Sequence, residues 1–422
     1  MSDPSILRLQ KELHDLQWNG APYRFDDKNM KHVHALITGP PHTPYASLRL
    51  CVYRLGMFDF VFNIGDDYPQ SPPKVNAMTT SNGRVRFNPN IYATEGNDGE
   101  KWSAAHGLLS VLVSIQSLLS DNPYHNEPGH EKEKDTSILS SYNAKLVHET
   151  LRVSVCDRLE EYMGWKTPDV KVDGLNLTRQ FCTCRAKSPF VDVTKNMFLM
   201  YKNLYDDIID TQSKDRKDGT AFYMARFEHP NNRTEGSFQY AAIRKRLSDL
   251  QTALLDEPVK WIAESEMWIK NETTTWSNLK SQYEQIKASM RYDTSILIDL
   301  EGGNPFAWNL AVIKLPNTYD GGVFRAQMVF HHAFPDVAPR IRFQSEVFHP
   351  HVSKDGIPYI RVHRPDNVRE YLDALGALFM RDPLTDPTTH LNLGATRMWF
   401  GTREMRRDFN RNARRCGQKT LE

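Results

Sequence analysis

"GMFDFVFNIGDDYPQSPPKV", residues 56–75, and "GVFRAQMVFHHAFPDVAPRI", residues 322–341, carry one pattern twice. Each opens Gly-x-Phe and reaches an aromatic-Pro pair whose proline stands thirteen residues after the glycine, Pro69 and Pro335. A further proline follows four residues later, Pro73 and Pro339. Each copy then arrives at a Phe-x-Pro element, "FNPNI" from Phe87 and "FHPHV" from Phe348. Matching offsets of this kind indicate an internal repeat, and a repeat organises the chain before any single element is assigned.

Working outward, each copy is preceded by a helix and a strand. Ile6, Leu9, Leu13 and Leu16 share one helical face, with Asp3-Pro4 suited to a cap and first turn. Leu279, Tyr283, Ile286 and Met290 do the same before the second copy. Alternation follows, Val33, Ala35 and Ile37 in one copy and Trp308, Leu310 and Val312 in the other, which predicts half-buried strands. Helix, antiparallel meander, proline-rich loop and further helices make an α+β unit. The predicted organisation is therefore residues 1–165, a mainly helical extension over 166–273, and a second copy over 274–422. In the extension, "MFLMYKNLYDDII" and the face Ile243, Leu247, Leu250, Leu254 have helical spacing. "SKDRKDGTAF" and "HPNNRTEGS" read as exposed loops. After the first meander, Leu108, Leu112, Ile115 and Leu119 fall on one helical face and are assigned to the core.

A chain of 422 residues exceeds one core, as the repeat requires. The net charge of +1 gives no general attraction for nucleic acid. The run from Arg397 to Arg415 holds seven arginines beside Trp399, Phe400 and Phe409, and it is read as a solvated helix face rather than a nucleic-acid site. No run of about eighteen apolar residues exists, so no membrane span is expected. The start "MSDPSILRLQKELHDL" lacks the apolar core of a signal peptide. The sequons at Asn176, Asn232 and Asn271 are accordingly expected to stay unmodified, and the five cysteines to be reduced thiols in the cytoplasm, the nucleus or both. Cys182-x-Cys184 has no second cysteine pair nearby, so no metal site is assigned.

"HALITGPPHTPY", "YPQSPPKV", "RVRFNPNIY", "VLVSIQSLLSDNPYHNEPG" and "HETLRVSVCDRLE", in this order, resemble the ubiquitin-conjugating enzyme family, and most of all its large Z-type members. The second copy resembles the same fold in "NPFAWNLAVIKLPNTYDGGVF", "FPDVAPRIRF" and "FHPHVSKDG". The resemblance implies a pathway in which an activating enzyme passes ubiquitin or a ubiquitin-like modifier to a cysteine as a thioester. A substrate lysine then takes the modifier, usually with a ligase present. ATP is used by the activating enzyme, and no cofactor is implied for this chain. It also implies that an asparagine steadies the developing oxyanion, and Asn90 occupies that position. Asn90 as a tight-turn residue remains an equal alternative.

The cysteine expected eight residues beyond that asparagine is missing. The count from Asn90 lands on Asp98 in "ATEGNDGEKW", and no cysteine stands between Cys51 and Cys156. An acyl group on a carboxylate would be an anhydride, which is no match for a thioester carrier. In the second copy His351 takes the asparagine position, and the count reaches Tyr359, a phenol with an ordinary pKa near 10. The resemblance assigns partner contacts to Arg8 and Lys11 (activating enzyme) and to Ser71, Pro72, Pro73, Trp102 and Ser103 (ligase). Asp121 follows the helix of Leu108 to Leu119, near where the family often has an acidic or serine gate, and a capping role is an equal alternative.

One further oddity marks the first copy. The second copy passes from Tyr319 to Gly322 in three residues, whereas the first takes eleven, Tyr45 to Gly56, through "ASLRLCVYRL". Leu48, Leu50, Val52 and Leu55 are poor loop chemistry. Both a genuine strand extension and a displaced exon boundary remain open. Three functional readings therefore stand: a family member unable to form a thioester as written, an active conjugating enzyme whose first domain is altered here, or a noncatalytic adaptor for ubiquitin, activating enzyme or ligase.

Overall fold

The structure, a computed structural model, describes residues 4–18, 23–26, 29–39, 55–81, 83–89, 102–119, 121–165, 188, 190–228, 234–271, 273–290 and 295–421. It separates into two compact units, one of Met1–His42, Ala46–Thr194 and Ile209–Leu247, the other of Thr43–Tyr45, Lys195–Ile208 and Ser248–Glu422. The helical extension predicted over 166–273 is thus divided between them. Its described part is built mainly on two long helices, α5 (Val191–Asp215) and α6 (Tyr240–Lys270).

In the first unit α1 (Pro4–Trp18) precedes β1 (Tyr23–Asp26), β2 (Asn29–Thr38), β3 (Met57–Asn63) and β4 (Lys74–Ala77), an antiparallel sheet in sequential order. The predicted alternation sets its register. Val33 pairs with Phe62, Ala35 with Phe60 and Ile37 with Phe58, and all six are buried. One sheet face is therefore apolar throughout, as the two-residue strand period requires. Then come α2 (Leu108–Leu118), α3 (Thr136–Glu149), a π-helical stretch Thr150–Asp157 and α4 (Arg158–Tyr162).

The second unit repeats this plan with α7 (Thr274–Ser289), β5 (Ile296–Leu300), β6 (Ala307–Val312), β7 (Phe324–Val329) and β8 (Arg340–Phe343), again in sequential antiparallel order. Trp308, Leu310 and Val312 pair with Met328, Ala326 and Phe324, all buried. Helices α8 (Val368–Met380), α9 (Leu393–Phe400) and α10 (Arg403–Lys419) complete it. Its core reaches back into α6 through Trp261 and Trp268, so the apolar cluster of this sheet begins before residue 274. Both repeat prolines, Pro69 and Pro335, follow cis peptide bonds.

The repeat glycines have a steric reason. A Cβ on Gly56 would stand 2.6 Å from Thr150 Cγ2, and one on Gly322 would stand 3.1 Å from the Cα of Gly417. In each copy the entry to the third strand presses against a C-terminal helix with no room for a side chain. The residue before each glycine takes the left-handed backbone, Gly321 at φ +77° and Leu55 at φ +57°. Only the first copy asks a leucine to do so, a conformation that costs an L-residue about 1–2 kcal/mol. The rest of the insert lies outside the described residues.

Helix α2 departs from expectation. Leu108 and Leu119 are buried, but Leu112 and Ile115 are only half-buried, and Leu109 and Val113 are 42 % and 56 % exposed. "LLSVLVSIQSLL" is apolar on several sides, so spacing alone could not choose the inward face.

Residues of the extension join the first unit through buried charge. Lys145, 2 % exposed, donates to Glu228 (2.8 Å) and to the Thr234 hydroxyl (3.0 Å). Arg246 bonds Asp157 and Glu160 at 2.5–2.7 Å. Burial by itself would raise the Glu149 carboxyl, but hydrogen bonds from His148 and Arg152 together outweigh it and hold the group at about 2. Such pairs are costly to break singly, because the remaining charge has no water to turn to. Glu228→Ala is expected to destabilise the first unit by about 3–5 kcal/mol in chemical denaturation. Lys145→Met combined with Glu228→Leu is expected to recover most of that loss.

Candidate functional site

In the first copy the Phe-x-Pro turn is fixed to the end of α2. Asn88 is fully buried, and its amide donates to the Leu118 carbonyl at 2.7 Å, as that of Asn126 does at 3.3 Å. Arg86 donates to the carbonyl of Pro89. Asn90 and Asp98 lie outside the described residues, as do Cys51, Cys182 and Cys184. The two described cysteines, Cys156 and Cys416, are both buried. Burial pushes the Cys156 thiol up to about 12, with Arg246 opposing it only in part, and burial raises Cys416 as well. The thiolate is the reacting form, so neither sulfur is a nucleophile near neutral pH.

Arg8, the start of the proline loop and Trp102 are joined through Glu12 and Tyr68. Arg8 is bonded to Glu12, one turn along α1. Glu12 also accepts from the Tyr68 hydroxyl at 2.6 Å and from the Leu108 amide at 2.9 Å, where it satisfies the N-terminus of α2. A side chain at position 107 would collide with this carboxylate, since a Cβ there would stand 2.9 Å from it, so Gly107 keeps the approach open. The Trp102 indole donates to the Pro69 carbonyl at 2.7 Å and stands 6.2 Å from the Tyr68 ring. Ser103 and His106 hold the turn that follows, through the bond from the Ser103 amide to His106 Nδ1 (3.3 Å). Lys11, Pro72 and Ser103 are exposed, Arg8, Ser71 and Trp102 half-buried, and Pro73 buried. Asp121 is exposed, and its carbonyl accepts from Asn143.

Glu12 was not singled out by sequence reasoning, although it is the carboxylate that joins α1, the proline loop and α2. Its one local signal is the Arg8–Glu12 spacing of four. Its bonds to Tyr68 and Leu108 span 56 and 96 residues and have no trace in the sequence pattern.

The second copy presents its two positions in full. The Tyr359 amide donates to the His351 carbonyl at 2.7 Å, closing a hairpin with a bridge between Val352 and Pro358. The two rings lie 6.3 Å apart, so the positions that the resemblance gives to asparagine and cysteine do face each other. Their chemistry differs from that pair. His351 Nε2 accepts from the Leu384 amide at 3.1 Å and contacts the Thr389 hydroxyl at 3.1 Å, so that nitrogen carries no proton to donate to an oxyanion. Burial raises the Tyr359 phenol, and the Asp386 carboxylate adds to this.

His349 and His351 stay neutral inside the fold. Burial lowers them to about 3 and about 4, and each feels a second imidazole, His351 for the first and His390 for the second. An unfolded histidine titrates near 6.5, so below that pH the unfolded chain binds more protons than the folded one. The stabilisation is complete above about pH 6.5 and is lost as pH falls toward the folded values, by roughly 1.4 kcal/mol per unit for each histidine. The second unit at pH 5 is therefore expected to be roughly 4 kcal/mol less stable than at pH 7 on this account, as read by peptide-resolved amide exchange.

The family model described as "Ubiquitin-conjugating enzyme" matches this chain twice, at residues 8–145 and 269–414. The chain is 33 % identical over 260 residues to Ubiquitin-conjugating enzyme E2 Z of Xenopus tropicalis, covering 59 % of this chain and 72 % of that protein. To the E2 Z of Homo sapiens it is 34 % identical over 262 residues, 60 % of this chain and 64 % of that protein. It is also 41 % identical over 126 residues to the human dual E2 ubiquitin-conjugating enzyme/E3 ubiquitin-protein ligase BIRC6, covering 27 % of this chain and 2 % of that protein. Two family matches, two sheets of one topology and two Phe-x-Pro turns lead to one conclusion: the chain belongs to the ubiquitin-conjugating enzyme family and carries its fold twice.

Proposed function

We propose that this chain acts in the ubiquitin or ubiquitin-like conjugation pathway without forming a thioester at either copy, as an adaptor that engages the activating enzyme or a ligase. In thioester exchange a cysteine sulfur bonds to the modifier's terminal carbonyl carbon as the bond to the activating enzyme's sulfur breaks. The step needs an accessible thiolate at the donor's carbonyl. The observation that carries the reading is the occupant of the nucleophile position: Tyr359 in the second copy, with its phenol raised by burial, and Asp98 in the first. Cys156, the cysteine next after that position in the first copy, is buried and protonated. The retained surface of Arg8, Ser71, Pro72, Trp102 and Ser103, organised by Glu12, supports recruitment by rigid loops that lose little entropy on binding. The proposed compartment is cytoplasmic or nuclear, and no cofactor is required.

The test is incubation of the chain with activating enzyme, ATP and ubiquitin or a related modifier. No reductant-sensitive adduct is expected, and a reductant-sensitive adduct on the protein would overturn the reading. A second reading, an active enzyme altered by a displaced exon boundary, is favoured by Leu55 holding the left-handed position that Gly321 fills in the other copy. It predicts a transcript across codons 45 to 102 that lacks the insert and encodes a Val-Cys-Leu strand.

A further inference from the structure

The groove of the second copy lies between two walls. One is the hairpin from His351 to Tyr359, with Asp355 at its turn. The other is the turn Pro387–Thr389, whose Thr389 hydroxyl touches His351 Nε2 at 3.1 Å. An acyl group delivered to position 359 would have to pass close to both, because reacting atoms must come within about 3–3.5 Å.

Residues of the extension bond to each wall. The Tyr201 hydroxyl donates to the Thr388 carbonyl at 2.7 Å. Asn203 and Gln251 both donate to one carboxylate oxygen of Asp355, at 2.8 and 3.0 Å. Tyr201 is 5 % exposed; burial raises its phenol, and Tyr359 and Asp386 are the groups that act on it electrostatically. Phe198, Leu204, Tyr205 and Ile208 on the same segment are buried. Next to it, Lys195 bonds Glu257 at 2.5 Å, Glu257 pairs with Arg340 of β8 at 3.5 Å, and Arg340 lies over the Trp261 ring. Two amide donors converging on one carboxylate oxygen, with a third donor on the opposite wall, have the form of a specific dock.

We propose that the groove around His351 and Tyr359 is a docking site for the chain's own residues 195–208 and Gln251, so that the second copy holds the extension and is closed to a modifier's tail. The fold has kept its two walls and changed what they grip. The loss of both the asparagine and the cysteine follows, because a groove filled by its own chain meets no acyl donor. This inference does not depend on whether the first copy can be charged.

The test uses the full chain carrying Tyr359→Cys as a probe, with alkylation by iodoacetamide read peptide by peptide. In the otherwise unaltered protein the introduced thiol is expected to react at least tenfold more slowly than in denaturant. Adding Asn203→Ala and Gln251→Ala, or the milder Tyr201→Phe, is expected to raise that rate and the amide exchange of residues 195–208 roughly tenfold. Exchange in β6 and β7, the central strands of the same unit, should stay unchanged, which separates undocking from general unfolding. Alkylation as fast as in denaturant without the rim variants would overturn the proposal. So would exchange over 195–208 that ignores both the double variant and Tyr201→Phe. A positive thioester assay alongside the expected alkylation and exchange results would remove the adaptor reading and leave this one standing.

Discussion

Both copies close at a point where no side chain fits. At Gly56 the chain enters β3 against Thr150 of the π-helical stretch, and at Gly322 it enters β7 against Gly417 of α10. The approach brings the start of a central strand onto a later helix, so the apolar faces led by Phe58 and Phe324 leave water.

Around this frame the protein uses polar groups where an apolar core would have sufficed for stability alone. Lys145 with Glu228, Arg246 with Asp157 and Glu160, and Glu257 with Arg340 fix the extension helices to the units that hold them. Directional pairs of this kind choose one docking geometry among many that greasy faces would tolerate. The neutral histidines of the second copy belong to the same economy of buried polarity. They satisfy backbone amides around the groove, and they make that unit sensitive to acid.

On the proposed reading, the chain keeps surfaces of the fold without a sulfur placed to carry the modifier. A phenol raised by burial and a carboxylate are both unsuited to hold an acyl group that must later pass to an amine. What the first copy retains is the Glu12-centred surface, where Arg8, the Pro69–Pro73 loop and Trp102 meet. What the second retains is a pair of walls around Tyr359, and the chain's own Tyr201, Asn203 and Gln251 bond to them.

By itself the sequence determined the repeat, the α+β plan and the register-bearing alternation of Val33, Ala35 and Ile37 against their partners. These are written in local spacing, which the two-residue strand period and the proline offsets expose directly. The inward face of α2 was misjudged at Leu112 and Ile115, because a helix apolar on several sides carries no unique pattern. Only the tertiary structure decided that Cys156 is walled off, that Glu12 binds Tyr68 and the Leu108 amide, and that Asn203 and Gln251 reach Asp355. Each of these is a contact between residues tens to hundreds of positions apart. Hydrogen bonding and desolvation act through space, and periodicity along a chain records only its neighbours.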